Sequence, residues 1–291
     1  MKIDLHAHST WSDGADPVAT VFEQAKAQGV DILALTDHDN TLGWGEAQAA
    51  ATRLGMGFVP GIEVSTRARV NVHRSFGVHM LAYLPDPNNA ELVAELGGSK
   101  STREDRLREV FELVSADYAL DWQDVLGQLT EGGTWGRPSL AAALVARGHF
   151  AHTDEVFEKL WGPGESRYYV PNEHVPETLD AIKLIRRAGG VPIIAHPMAR
   201  GKGPQPGQAM PLQHFEMMIE AGLAGFEVFH RDVPEHARKR LIDLAKQHDL
   251  ILTGSSDYHG ERKHNVLGEN TTTREMLDRI LEQGTGTQAY L

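Results

Sequence analysis

The chain has 291 residues, 41% of them hydrophobic, and contains no cysteine. That allows one large α/β barrel or two small domains with a sizeable core, and it excludes disulfides and thiolate metal sites. A formal net charge of −12 with neutral histidines excludes the basic footprint that holds duplex nucleic acid. Small anionic substrates stay open, because bound divalent cations dominate the local charge of a site. No apolar run of about 18 residues exists, so no membrane-spanning helix is expected. The chain enters a strand at once, so no signal peptide is expected either, and a cytoplasmic location is the reading.

Residues 2–8 are read as a first strand. Ile3 and Leu5 share one face, and Asp4, His6 and His8 share the other, because strand side chains alternate. A helix over 17–28 follows, with Asp16 as N-cap and Pro17 in its first turn. The short apolar run 31–36 predicts a strand buried on both faces. A helix over 41–54 and strands over 58–65 and 76–84 come next. From 88 to 164 the pattern is helical, with segments at 91–116, 122–129, 138–147 and 153–160. After Pro176 the alternation resumes: a helix to 188, strand 191–195, helix 212–221, strand 225–229, helix 234–247, strand 251–255 and a last helix over 272–282. This predicts seven βα-like units in a mostly parallel sheet that closes into a barrel. The barrel takes residues 1–87 and 165–291, and 88–164 forms a helical insertion or cap. The glycine- and proline-rich loop 201–207 is expected at the barrel mouth.

Polar motifs stand last in the apolar runs. They are Asp4-Leu5-His6-Ala7-His8, Thr36-Asp37-His38, Ala195-His196-Pro197 and Ser256-Asp257-Tyr258-His259. Active sites of α/β barrels lie at the C-terminal ends of the strands, so these residues are expected to converge. Histidine and carboxylate suit Zn, Mn or Fe and are costly to bury without a cation or partner. Glu63 lies between apolar residues of a fifth strand, and a salt bridge is its bland alternative. Asp13 lies in Ser12-Asp13-Gly14, which also makes a plain turn. His79 sits inside an apolar strand, whereas its competitor His73 sits in a polar turn. Asp4 and Asp37 are expected to orient ligating histidines, with backbone capping as the alternative. Asp39 is expected to cap the helix near Thr41.

These motifs, in this order, resemble the polymerase-and-histidinol-phosphatase (PHP) family of metal-dependent phosphoesterases. The resemblance covers nearly the whole barrel and implies the distorted (β/α)7 barrel of that type. Within the family, the chain is most similar to small phosphatases of nucleotide 3′,5′-bisphosphates and short oligonucleotides. Carried over by residue, the resemblance implies three cation positions. His6, His8, Glu63 and Asp257 would hold one. Glu63, His79 and His196 would hold a second, and Asp13, His38 and His259 a third. Relatives often carry histidine where this chain has Asp13. A carboxylate is harder, so two to three divalent ions are expected with Mn preferred and Fe, Zn or Mg admitted.

The implied chemistry is attack by a metal-bridging hydroxide on a small phosphorylated substrate, with loss of the 3′-phosphate from a nucleotide 3′,5′-bisphosphate. Asp257 and His259 are catalytic candidates, and His259 is one candidate for protonating the leaving alkoxide. Arg137, at the place of a family arginine, is expected to neutralise phosphate oxygens; this chain has Pro138-Ser139 where relatives often have histidine. Arg200, His230 and Arg231 are further substrate candidates, against solvated loop residues. Trp135, Tyr168, Tyr169 and Phe229 are candidates for a base platform, with packing as the alternative. His149, His152, His174, His214, His236, His248 and His264 show no ligand pattern. The rival readings are a 5′→3′ exonuclease on short RNA, a histidinol-phosphate phosphatase, an amidohydrolase and a metal-stabilised interaction module.

Overall fold

The computed structural model describes residues 1–71, 74–129, 135–162, 166–170, 175–199 and 210–291. Seven strands form one sheet in sequence order: β1 (Ile3–Asp4), β2 (Ile32–Leu35), β3 (Gly57–Asn71), β4 (Arg74–Tyr83), β5 (Val191–Ile194), β6 (Gly225–Phe229) and β7 (Ile251–Gly254). An isolated bridge between Ala7 and Tyr258, with His8 N–H donating to Tyr258 O at 2.9 Å, joins the two edges into a nearly closed barrel. All four residues of β2 and of β5 are buried, as expected of strands covered on both faces. The helix α1 (Val18–Ala27) packs Val18, Val21, Phe22 and Ala25 inward, a stripe at helical spacing.

Two expectations are corrected. The first regular strand is two residues long instead of seven, because past Asp4 the chain leaves its ladder with β2. His6 and His8 therefore lie beyond the paired strand, at the closing seam. The third and fourth strands are not βα units. They form an antiparallel hairpin, and β4 also runs antiparallel to β5, while the pairs β1–β2, β2–β3, β5–β6 and β6–β7 are parallel. Two antiparallel strands need no crossover helix between them, so β3 extends well past the expected Ser65. Because β4 descends from the mouth, its functional residue lies inside the strand: His79 pairs with Ser65 of β3.

The helical segment comprises α2 (Ala90–Ser115), α3 (Trp122–Leu126), α4 (Arg137–Ala146) and α5 (Thr153–Trp161). Leu107, Val110, Val114, Val125, Leu140, Leu144, Phe150, Val156 and Leu160 make a hydrophobic cluster separate from the barrel clusters. Helix α2 serves both: Leu92 and Leu96 pack with the barrel, and its second half packs with the insertion. Among the described residues, no helix is long and apolar enough to cross a membrane.

Candidate metal centre

His6 and Glu227 set the first anchor. The Glu227 carboxylate accepts from His6 Nδ1 at 2.9 Å, so that nitrogen carries the hydrogen and Nε2 offers its lone pair. This Nε2 lies 3.0 Å from His8 Nε2, 3.1 Å from Glu63 Oε2 and 3.4 Å from Asp257 Oδ1. His8 is fixed in the same sense. Its Nδ1 meets Ser12 Oγ at 3.2 Å, and that hydroxyl donates to Asp37 Oδ1 at 2.5 Å. His8 Nε2 faces Glu63 Oε2 at 3.0 Å and Asp257 Oδ1 at 3.4 Å. His259 donates from Nδ1 to Asp257 O at 2.8 Å, and its Nε2 lies 3.2 Å from Asp13 Oδ1. His38 donates from Nδ1 to Glu63 O at 3.3 Å, and its Nε2 faces Glu63 Oε2 at 3.4 Å and Asp13 Oδ2 at 3.6 Å.

Four imidazoles thus have one nitrogen tied down and the other aimed at carboxylate oxygens. Three candidate ligand groups result: His6, His8, Glu63 and Asp257; His8, Asp13, His38 and His259; and His38, Glu63 and His79. His79 Nδ1 is 2.7 Å and His196 Nε2 3.1 Å from Glu63 Oε1, so one carboxylate faces both sides of the cluster. The first group has the membership that the resemblance implied. His8 joins the Asp13 group as well, and His38 stands between the Asp13 and His79 groups.

The donor set fits divalent cations. Asp257 Oδ1 is buried and accepts no hydrogen bond, a state expected of a ligand oxygen and costly otherwise. Lone pairs of His6, His8, Glu63 and Asp257 packed 3.0–3.4 Å apart repel one another unless a cation or protons lie between them. Without a cation, protons take that place. Burial opposes charge on His6, yet Glu227, Glu63 and Asp257 overcome it and hold its pKa well above the usual range. Burial likewise opposes charge on His8, but the facing carboxylates of Asp257, Glu63 and Asp13 push it up to about 9. Burial would raise Glu63, and the surrounding His38, His6 and His79 hold it well below the carboxylate range. Burial, followed by the opposing pulls of Glu63 and Asp13 and the repulsion of His8 and Arg103, leaves His38 down at about 3. His196 and Asp257 also carry left-handed backbone, with φ of 30° and 53°. Strain of that kind costs about 1–3 kcal/mol per residue and gathers at functional sites.

Several expected roles change. Asp4 does not touch a ligating ring; it accepts from the backbone N–H groups of Gly268, Ser256 and His6, which is the capping alternative. Asp37 reaches His8 through Ser12. Asp39 caps no helix: it accepts from Ser65 N–H at 2.8 Å and pairs with Arg103 of α2 at 2.5 Å. His259 has Nδ1 tied to the backbone and Nε2 at Asp13, so as a ligand it has no free nitrogen left for the leaving group. His230 is buried, with Nε2 3.5 Å from Asp257 Oδ2. Arg231 is engaged with Asn265 and Glu269 of the loop after β7.

Arg137 is the first residue of α4, its guanidinium 5.6 Å above the Trp161 ring. Arg200 and the loop 201–207 lie outside the described residues, as do His73 and His174. Trp135 stacks on Trp122, Tyr168 bonds Asp117, Phe229 packs against the barrel core, and Tyr169 is exposed. His149 and His264, set aside as non-ligands, contact Ala119 O and Asp154.

Sequence reasoning missed Glu227, Ser12, Arg103 and Arg106. Glu227 was findable. It stands between buried Phe226 and Val228 in β6, the same signal that singled out Glu63. Arg103 and Arg106 carry no such mark, since charged residues on a long helix read as its solvated face.

A barrel mouth where six histidines meet Asp13, Glu63 and Asp257, with four of the rings held by fixed partners, is the arrangement of a metal-dependent hydrolase. The chain belongs to the PHP domain family, whose model matches residues 4–151, and it is a metal-dependent phosphoesterase. It is 33% identical over 266 residues to a phosphoribosyl 1,2-cyclic phosphate 1,2-diphosphodiesterase of Eggerthella lenta, covering 89% of this chain and 94% of that one. A 5′-3′ exoribonuclease of Haemophilus influenzae is 30% identical over 280 residues, covering 96% and 97%. A 3′,5′-nucleoside bisphosphate phosphatase of Chromobacterium violaceum is 33% identical over 269 residues, covering 89% and 87%. Among solved structures, a metal-dependent phosphoesterase from Bifidobacterium adolescentis superposes with a TM-score of 0.89 at 36% identity, covering 97% of this chain and 96% of that one.

Proposed function

We propose that the enzyme removes the 3′-phosphate from nucleoside 3′,5′-bisphosphates. The observation that carries this reading is a pair of arginines in the insertion, Arg106 and Arg137, of which Arg106 stands one helical turn from Arg103, the partner of Asp39 at the mouth. Arg106 and Arg137 lie close enough that burial first, then each other's charge, lowers Arg106 to about 10. Burial also lowers Arg137, and only Tyr169 acts against that. Two neighbouring half-buried guanidiniums, with Arg106 oriented by donating from Nε to Val170 O at 2.8 Å, suit a phosphate that is held and not cleaved. A substrate with two phosphates satisfies both places, as the named activity of the Chromobacterium relative requires.

In this reading His6, His8, Glu63 and Asp257 hold one divalent ion. Glu63, His79 and His196, with His38 at hand, hold a second, and Asp13, His38 and His259 a third; Mn is the preferred metal. Such ions supply an activated water near neutral pH and neutralise charge on the phosphate and leaving oxygens. The protein's own part is positioning. Glu227 and the Ser12–Asp37 relay set the tautomers of His6 and His8. Arg137 and Arg106 hold the second phosphate, and the 88–164 segment walls the pocket with Tyr169 at its edge. Arg103, fixed by Asp39 and Ser65, ties that wall to the mouth.

Exonuclease action on short RNA is the second reading, favoured by the exoribonuclease relative that matches over 96% of this chain. Phosphate release by Mn-reconstituted protein separates the two. Adenosine 3′,5′-bisphosphate, AMP, a short 5′-phosphorylated RNA, a ribose 1,2-cyclic phosphate and histidinol phosphate are compared under one condition. The proposal expects fast release from the bisphosphate, leaving 5′-AMP. Stepwise conversion of the RNA to mononucleotides, with the bisphosphate untouched, would reject it.

A further inference from the structure

The turn that follows the Ser256-Asp257-Tyr258-His259 motif presents a lysine to a buried candidate ligand. Lys263 Nζ lies 2.8 Å from Asp257 Oδ2, and its side chain is 40% exposed while that of Asp257 is 4% exposed. The ammonium therefore reaches a buried carboxylate from the solvent side. It approaches the oxygen opposite Oδ1, which faces His6 and His8.

This placement is built. Gly260 has a left-handed φ of 68°, and a Cβ there would meet Asp16 and Ala15, so the short 3₁₀ turn Gly260–Arg262 starts on a position that favours glycine. Arg262 donates to Asp13 O at 3.1 Å and to Gln128 O at 3.3 Å. On the other side of Lys263, Asn265 donates to the backbone carbonyls of Ser256 and Asp257. The residue before the lysine and the residue two after it are thus clamped to the segments that carry Asp13 and Asp257.

The charge at this spot has a use. The candidate ligands include three carboxylates, Asp13, Glu63 and Asp257, and a phosphate drawn to the cations must come up against them. An ammonium has three donors, of which Asp257 takes one. Lysine is also a compact charge on a flexible stem, able to shift between acceptors without the planar geometry that arginine demands.

We propose that Lys263 is a phosphate contact of this enzyme: its ammonium donates to an oxygen of the phosphate at the metal centre while still holding Asp257 Oδ2. The inference rests on the phosphoesterase reading and not on the nucleotide preference.

The test uses the Mn-loaded full chain, p-nitrophenyl phosphate as substrate and inorganic phosphate as inhibitor. A calorimetric titration of inorganic phosphate reads the same contact without turnover. Lys263→Met should weaken phosphate about tenfold, as expected for losing one charge-assisted hydrogen bond. Lys263→Arg, which also covers the case of a poorly folding Met variant, should recover most of that loss. Mn affinity should stay within about twofold of the parent in both. Unchanged phosphate affinity in Lys263→Met would overturn the proposal. So would a fall in Mn affinity that accounts for the phosphate loss, which would make Lys263 a holder of Asp257 only. Because p-nitrophenyl phosphate has neither base nor second phosphate, a failed bisphosphate preference leaves this measurement readable.

Discussion

The barrel mouth and the helical insertion contribute charge in opposite ways. At the mouth, histidines and carboxylates from strand ends are nearly all buried, and within each candidate group their ligand atoms lie within 4.8 Å of one another. In the insertion, a separate hydrophobic cluster holds the helices, and Arg103 reaches from it to Asp39 at the mouth. At the mouth, His6, His8, His38 and His259 each have a fixed partner; in the proposed reading, the insertion meets substrate through longer, more adaptable side chains. The expected division is that the mouth decides whether a phosphoester is cleaved and the insertion decides which one.

The strongest way to break this division is at the ligands. His8→Ala should lower kcat by roughly 10³-fold or more and empty at least one cation position, with far-UV circular dichroism unchanged. Metal analysis alongside kinetics checks it, and near-normal turnover by the variant would remove the metal centre from the mechanism. Next comes the insertion core. Leu144→Ala should cost about 2–5 kcal/mol, the usual range for a fully buried leucine. The loss should appear as easier proteolysis of the helical segment while Mn content holds; parallel loss of Mn would mean that the two regions unfold as one. Glu227→Gln keeps the size of the side chain and removes its charge. It should weaken Mn about 10–100-fold, the usual cost of disturbing a partner of a ligating histidine, as titration against a chelator would show.

Arg137→Ala should raise KM for adenosine 3′,5′-bisphosphate about tenfold and leave p-nitrophenyl phosphate nearly untouched. An equal effect on both substrates would move Arg137 to the scissile phosphate. A last effect is that of pH on the metal-free protein. In the metal-free protein His8 rises from its ordinary 6.5 to about 9. A raised pKa favours the folded state fully below about pH 6.5, and that gain fades as pH rises through 9. The melting temperature of chelator-treated protein should therefore fall between pH 6.5 and 9. Mn affinity should climb over the same window, by up to about tenfold per pH unit for each proton displaced. A melting temperature that rises with pH would contradict the shared proton.

The sequence by itself determined the strand and helix alternation and most of the mouth. Apolar runs ending in His38, His196 and Asp257 carry their own position, because strand periodicity and barrel geometry say where such ends meet. Glu63 was legible because a carboxylate between buried neighbours needs a partner. The tertiary structure decided what depends on distant segments meeting. It made β3 and β4 a hairpin, so that His79 serves from mid-strand. It turned Asp4 toward backbone N–H groups more than 250 residues away in sequence, and Asp39 toward Arg103 and Ser65. It brought Lys263 to Asp257 and set Arg106 near Arg137, meetings to which no local pattern points. The physical reason is range. Periodicity reports the face that a residue takes on its own element, whereas a hydrogen bond or ion pair depends on which other element arrives within about 3 Å of it.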